Sequence, residues 1–99
     1  MRLNPYQRDV IRRVTAEVAG PGARVLLFGS RTRADARGGD IDLLIELDQA
    51  SADHVVMACR IGARIERQLG AQKIDVLIAD PATPRSSVLD AARRDGVAL

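Results

Sequence analysis

A chain of 99 residues, 46% of them hydrophobic and 28% charged, has the ordinary composition of one small soluble domain. Folding at this length buries about two thirds of the unfolded chain's surface. This excludes large multidomain enzymes, solenoid arrays and disordered tails, and we expect one domain spanning residues 1–99. The net charge of +2 is spread along the chain, and Lys73 is the only lysine among the cations.

The cysteine count and the hydropathy pattern predict a cytoplasmic protein. A single cysteine, Cys59, excludes an internal disulfide framework and suits a reducing compartment. The first residues lack the apolar segment of a signal peptide, and no stretch approaches eighteen apolar residues, so no membrane association is expected. Tyr6 and Phe28 are the only aromatic residues, so we expect no direct nucleic-acid binding by base stacking.

The first half of the chain predicts a helix and two strands. The helix covers residues 5–19, where Asn4 is the expected N-cap, Pro5 occupies the first turn and Gln7 completes a capping box. Short apolar segments at 24–28 and 41–47 are typical of buried strands. The polar and basic segment 29–39 between them predicts a loop.

The second half predicts a helix, a strand and a final helix. We expect the first of these helices over residues 51–69, capped by Ser51, followed by a strand at 73–79 and a turn at 80–84. Ser87 and Asp90 predict a capping box for a helix ending near residue 95. The order of elements predicts an α/β (α+β) fold with a small mixed sheet flanked by helices.

Two aspartates, Asp40 and Asp42, stand two positions apart at the start of the second predicted strand. Alternate residues of a strand project from the same face, so both carboxylates are expected side by side, with Ile41 pointing into the core. Such a pair is repulsive, and its oxygens suit a divalent cation such as Mg²⁺. Asp75 interrupts the apolar third strand and is the natural third ligand if that strand lies beside the second.

Three carboxylates can hold two metal ions roughly 4 Å apart, which stabilises the attacking and leaving oxygens in phosphoryl transfer. Asp75 is also suited to accept the proton of an attacking hydroxyl. We therefore predict two Mg²⁺ ions as cofactors. Asp40, Asp42 and Asp75 are the predicted metal ligands and catalytic residues.

The loop between the first two strands carries groups that bind phosphate. Gly29 allows backbone N–H groups to approach phosphate oxygens closely, and Ser30 adds a hydroxyl, although it could also merely cap a turn. Arg31 and Arg33 can add charge-assisted hydrogen bonds to a triphosphate. These four residues are the predicted nucleotide-binding residues.

Simpler interpretations stay open for the acidic residues. Asp40 and Asp42 could form a polar strand edge, and Asp75 could form a salt bridge to an arginine or to Lys73. Glu46 shares the face of the two aspartates but lies six residues, about 20 Å, from Asp40 along the strand. We interpret it as an edge charge or as the partner of an arginine.

The remaining polar residues predict no further site. Arg60, Arg64 and Arg67 form a helical stripe that is typical of a solvated face. His54 and Cys59 are single and lack a matching set of ligands, so neither a zinc site nor a thiol nucleophile is expected.

The acidic and glycine-rich motifs resemble those of a known superfamily. Gly29-Ser30, the eleven-residue step to Asp40, the Asp40-x-Asp42 pair followed by Leu-Leu-Ile, and a later acidic strand residue are similar to the nucleotidyltransferase superfamily of DNA polymerase beta. The run GSRTRADARGGDIDLLIEL resembles the minimal nucleotidyltransferases, which consist of the catalytic domain alone. The similarity extends along almost the whole chain. Gly39 stands where the family commonly has Ser, and Ala34 where it often has Gly.

The resemblance implies the polymerase beta-like fold and transfer of a nucleoside monophosphate to a hydroxyl with the help of two Mg²⁺ ions. By position, it implies that Gly29 and Ser30 hold the triphosphate and that the three aspartates bind metal. Many minimal nucleotidyltransferases are antitoxins paired with a HEPN-domain ribonuclease toxin, and those studied resemble adenylyltransferases that place AMP on a tyrosine of the toxin. We therefore expect an ATP-using antitoxin that forms a hetero-oligomer with its HEPN partner.

Two other functions stay open. A protein of the same fold could neutralise a partner by binding alone, without catalysis. Transfer to a small molecule or to an RNA 3′ end ranks lowest, since the sequence shows neither an acceptor-binding domain nor an aromatic platform. The nucleotide base, the acceptor residue and the oligomeric state are not identified by the sequence. We expect a docked partner protein to provide the choice of acceptor.

Overall fold

The computed structural model of the protein describes residues 3–29, 40–70 and 72–99. Within them, helices and strands follow one another as α1 (Pro5–Ala19), β1 (Arg24–Phe28), β2 (Ile41–Glu46), α2 (His54–Leu69), β3 (Ile74–Ala79), α3 (Ser87–Asp95) and β4 (Val97–Ala98). The predicted α/β (α+β) class, with a small mixed sheet flanked by helices, is confirmed.

Among the residues that the structure describes, four strands form one sheet in the order β3-β2-β1-β4. β1 pairs with β2 and with β4 in antiparallel fashion, whereas β2 and β3 run parallel. β4 was not predicted, because it contributes only two residues and its formation depends on β1. Ala98 pairs with Leu26 and Val97 with Leu27, and the N–H of Leu99 donates to the carbonyl of Val25 at 3.0 Å.

The two faces of the sheet are covered by different helices. α1 and α2 pack on one face, and the buried residues of this main core are Val10, Ile11, Val14, Val25, Leu27, Ile41, Leu43, Ile45, Ile61, Ile65 and Ile74. α3 packs on the other face over a smaller buried cluster of Leu44, Ala79, Leu89 and Ala92. The inward direction predicted for Ile41 is confirmed, and Leu43 and Ile45 share it. Burial of Leu44 on the second face was not predicted.

All three helices end where they were predicted to end, and their first residues match the prediction for α1 but differ for the other two. Asn4 caps α1 and forms the expected capping box with Gln7. α2 begins at His54 rather than at Ser51, whose backbone N–H donates instead to a carboxylate following β3. The side chain that caps α3 is Ser86 rather than Ser87.

The predicted acidic partner of the α3 capping box is engaged elsewhere. The carboxylate of Asp90 lies 3.2 Å from the guanidinium of Arg85, which precedes the helix. Ser86 meanwhile accepts from the N–H of Leu89 at 3.2 Å, so the cap falls one residue earlier than predicted. In the part of the chain that the structure describes, no helix is both long enough and apolar enough to cross a membrane.

Candidate functional site

The register of β2 and β3 brings two of the predicted carboxylates together. Asp42 and Asp75 are direct partners on these parallel strands. Alternation along the strands directs both side chains to the face opposite the main core. Phe28 is the partner of Asp42 on β1, and it packs at the border of the smaller buried cluster on that face. The condition set by the sequence, that the third strand lie beside the second, is therefore met.

Gly29 follows β1 directly and touches the carboxylate of Asp42. Its φ of +75° lies in the left-handed region, which residues with a side chain rarely adopt. A Cβ placed on Gly29 would collide with Oδ2 of Asp42. Glycine is therefore favoured by the backbone conformation, and a side chain at this position would push the Asp42 carboxylate aside. The predicted phosphate-binding loop begins against the predicted metal ligand.

The pKa of Asp42 is raised above its ordinary value. Burial of the Asp42 carboxyl is the largest cause, and the negative charges of Asp75 and Asp40 add to it. A hydrogen-bonding contact with Asp75 raises the pKa further, and Lys73 offsets part of the rise. Negative charge thus accumulates at this end of the sheet.

Asp40 lies at the edge of this cluster and has a cation beside it. Its side chain is 48% exposed, and its Oδ2 lies 3.9 Å from Nζ of Lys73. Lys73 therefore pairs with Asp40 and not with Asp75, the partner that the simpler interpretation had suggested. The N–H of Ile41 donates to the carbonyl of Lys73 at 3.0 Å, which aligns the two strands where these charges meet.

The chemistry of the donor set fits a hard divalent cation. Carboxylate oxygens are the ligands that Mg²⁺ prefers, and a cation would relieve the repulsion that raises the pKa of Asp42. Within residues 3–29, 40–70 and 72–99, no three His, Cys, Asp or Glu side chains are already arranged as a metal-binding group. Asp42 and Asp75 therefore form a pair to which Asp40 or a phosphate oxygen has to be added.

The rest of the predicted nucleotide-binding loop, residues 30–39, lies outside the residues that the structure describes. Ser30, Arg31 and Arg33 lie outside the described residues, as do Gly39 and Ala34, the two positions that differ from the family pattern. Gly29 is the predicted nucleotide-binding residue whose geometry is described.

Sequence reasoning missed a buried carboxylate at the other end of β3. The side chain of Asp80 is 4% exposed, and its Oδ2 accepts from the N–H of Ser51 at 2.9 Å and lies 2.7 Å from Nε2 of His54. Its Oδ1 accepts from the N–H of Ala82 at 2.7 Å. Asp80 thus joins the turn after β3 to the start of α2. An Asp-Pro turn signal was present, but nothing local indicates a partner 26 residues earlier.

The interpretation of Glu46 as the partner of an arginine is confirmed. Its Oε1 accepts from Nε of Arg93 on α3 at 2.5 Å. Glu46 is the last residue of β2, so this ion pair lies at the opposite end of the strand from Asp42. It fixes α3 to the sheet and plays no part in the carboxylate pair.

No protein-family model matches the sequence, and no curated protein matches it with significant similarity. The function is therefore inferred from the geometry of the described residues and from the resemblance of segment 29–47 to the minimal nucleotidyltransferases.

Proposed function

We propose that the protein is a Mg²⁺-dependent nucleotidyltransferase that transfers AMP from ATP to a hydroxyl group of a partner protein. The observation that carries this proposal is the pairing of Asp42 with Asp75, with Gly29 packed against the Asp42 carboxylate. The two carboxylates share one face of the sheet and lie next to Gly29, where the predicted phosphate-binding loop begins. This arrangement brings candidate metal ligands beside a phosphate-binding segment. Core packing does not require this arrangement, since both aspartates face away from the main core.

The roles follow from position. Asp42 and Asp75, completed by Asp40, hold the Mg²⁺, which when bound neutralises charge on the triphosphate. Gly29 begins the phosphate-binding segment in the proposal, and it lies against the Asp42 carboxylate that holds the metal. Ser30, Arg31 and Arg33 continue this binding in the proposal.

Asp75 is the proposed general base. It is exposed on the edge strand β3, where an acceptor hydroxyl can reach it. The hydroxyl oxygen forms a bond to the α-phosphorus, the bond from that phosphorus to the bridging oxygen breaks, and the hydroxyl proton passes to Asp75. Pyrophosphate leaves with the electron pair of the broken bond. The product is an AMP ester of the acceptor.

The proposed acceptor is a tyrosine of a HEPN-domain ribonuclease toxin in the cytoplasm. The resemblance to minimal nucleotidyltransferases supports this partner, and an exposed free cysteine, Cys59, is compatible with a reducing compartment. Incubation of the protein with labelled ATP, Mg²⁺ and a candidate toxin tests the proposal. Label on the toxin, dependent on Mg²⁺, is the expected result.

A second candidate function is neutralisation of a partner by binding alone. Large apolar side chains that are exposed in the structure favour it, and they include Val55 at 77%, Val56 at 54% and Val88 at 55% exposure. The same incubation separates the two functions. A stable complex that inhibits the toxin without any transfer of label would support binding alone and would contradict the transferase.

A further inference from the structure

A cavity of about 610 Å³ lies at the far end of the sheet from the carboxylate pair. Its walls come from α1, the turn before β1, the strands β1 and β4, and the ion pair between Glu46 and Arg93. Glu46 is four residues beyond Asp42 on β2, which corresponds to about 13 Å. The volume lies within the range of roughly 300–1,000 Å³ that is typical of small-molecule sites. We call it the Arg24 cavity, after one of the arginines that line it.

The Arg24 cavity carries more positive charge than its neighbouring carboxylate can neutralise. Arg24 and Glu46 are direct partners across the antiparallel pair of β1 and β2, so their side chains share one face. Glu46 accepts from Arg93. Arg12, on α1, also lines the cavity. Among the described residues, neither the guanidinium of Arg12 nor that of Arg24 has an ion-pair or hydrogen-bond partner, so both groups remain available to a ligand.

The remaining walls combine apolar surface with a hydroxyl that lacks a partner. Val25, Leu26 and Leu99 contribute apolar surface. Thr15 also lines the cavity, is 2% exposed, and its hydroxyl oxygen has no hydrogen-bond partner in the described structure. Buried hydroxyls are normally satisfied, so an unpartnered one at a cavity wall indicates a missing donor or acceptor.

We propose that the Arg24 cavity binds a phosphate monoester whose organic group packs on the apolar wall. Guanidinium groups pair with phosphate oxygens through two parallel hydrogen bonds, and two of them from different elements suit a dianion better than a single carboxylate does. The apolar residues accommodate the organic group. This site is separate from the carboxylate pair and does not depend on the transferase proposal.

Amide chemical shifts measured by NMR in the absence of Mg²⁺ test this site. Titration with phenyl phosphate is expected to shift the amides of Val25, Leu26 and Ala98 saturably, while the amides of Asp42 and Asp75 stay in place. Inorganic phosphate, which lacks the organic group, is expected to bind more weakly, and phenol, which lacks the charge, is expected not to bind. Titration with AMP identifies which kind of phosphate monoester the cavity prefers. Tighter binding of AMP than of phenyl phosphate indicates a nucleotide, and weaker binding of AMP indicates another organic phosphate. Either result supports a site for phosphate monoesters.

Variants separate a built site from general attraction to positive charge. Arg12→Gln and Arg24→Gln are each expected to weaken binding about tenfold or more, because hydrogen bonds to a charged group are lost. Arg64→Gln, on the exposed face of α2, is the matched control and is expected to bind normally. Glu46→Gln removes the carboxylate that competes for Arg93 and is expected to strengthen binding, which a purely structural role would not produce.

Three results would overturn the proposal. Shifts that never saturate would indicate an adventitious ion only. Equal weakening by Arg64→Gln would indicate a general charge effect. Binding that survives in the double variant Arg12→Gln/Arg24→Gln would place the ligand elsewhere. Because both arginines are exposed, we expect the double variant to fold normally. A dispersed amide spectrum of that variant checks that it does.

Discussion

Asp42 and Asp75 are direct partners on the parallel strands β2 and β3, so two carboxylates share one face of the sheet at neighbouring positions. Like charges placed opposite each other destabilise a sheet, and Asp42 is also partly withdrawn from water. A fold that only needed stability would gain from a neutral residue at either position. The proposed Mg²⁺ would relieve this repulsion.

Asp42→Asn is expected to stabilise the protein in the absence of metal by about 0.2–1 kcal/mol at pH 7, because it removes this repulsion. The pKa of Asp42 is raised in the folded state, so the wild type loses stability relative to the variant as pH rises from 3.8 through the folded value. The gain should therefore disappear well below pH 3.8. Urea denaturation of the wild type and Asp42→Asn at pH 7 and well below pH 3.8 measures this gain in stability. Asp9→Asn, a substitution at an exposed position of α1, is the control and should show no such gain.

Gly29→Ala is expected to destabilise the fold by more than Gly20→Ala does. Both glycines have a positive φ, for which alanine costs about 1–2 kcal/mol, but a Cβ at Gly20 has nothing within 4 Å. A Cβ at Gly29 collides with the Asp42 carboxylate. The difference between the two variants in urea denaturation isolates that collision. Equal losses would mean that Gly29 and Asp42 are not in contact.

Leu44→Ala is expected to lower the free energy of unfolding by about 2–5 kcal/mol, because Leu44 is fully buried beneath α3. Leu77 is its partner on β3 and is 40% exposed, so Leu77→Ala should cost clearly less. Thermal and chemical denaturation of the two variants compare these costs. If both substitutions cost the same, α3 does not cover this face of the sheet as described.

Asp80 predicts an acid-sensitive component of stability. The pKa of Asp80 lies below its ordinary value of 3.8, and the largest cause is the hydrogen bond from the N–H of Ser51. The N–H of Ala82 and the imidazole of His54 lower the pKa further, whereas burial of the carboxyl raises it. A lowered folded pKa stabilises the fold above pH 3.8, and this stabilisation is lost as pH falls through the folded value. Asp80→Asn should be less stable than the wild type at pH 7, and the difference should narrow in acid. A difference that is constant with pH would contradict this role.

Much of the fold was predictable because its signals are local. The capping box of Asn4 and Gln7 and the apolar segments of β1 to β3 depend on neighbouring residues, and these elements lie where they were expected. β4 escaped prediction because a two-residue strand exists only through its pairing with β1. Burial of Leu44 escaped because it depends on where α3 packs. α2 begins at His54 rather than at Ser51, whose N–H donates to Asp80, 29 residues along the chain.

The site was predictable to the extent that strand alternation and strand order determine it. The pairing of Asp42 with Asp75 needed one assumption, that β3 lies beside β2, and the structure meets it. The ion pair of Lys73 with Asp40 needed side-chain directions at the strand ends, which sequence spacing does not provide. The link between Asp80 and His54 joins positions 26 residues apart and leaves no periodic trace in the sequence.

Transfer of labelled AMP from ATP to the toxin, measured for the wild type beside Asp42→Asn, Asp75→Asn and Asp9→Asn, tests the central claim most directly. The account predicts a Mg²⁺-dependent rate for the wild type and for Asp9→Asn. It predicts no detectable transfer for Asp42→Asn and a loss of about 10²–10⁴-fold for Asp75→Asn, the range typical of a general base. Transfer at the wild-type rate by either folded site variant would contradict the assignment of the carboxylate pair.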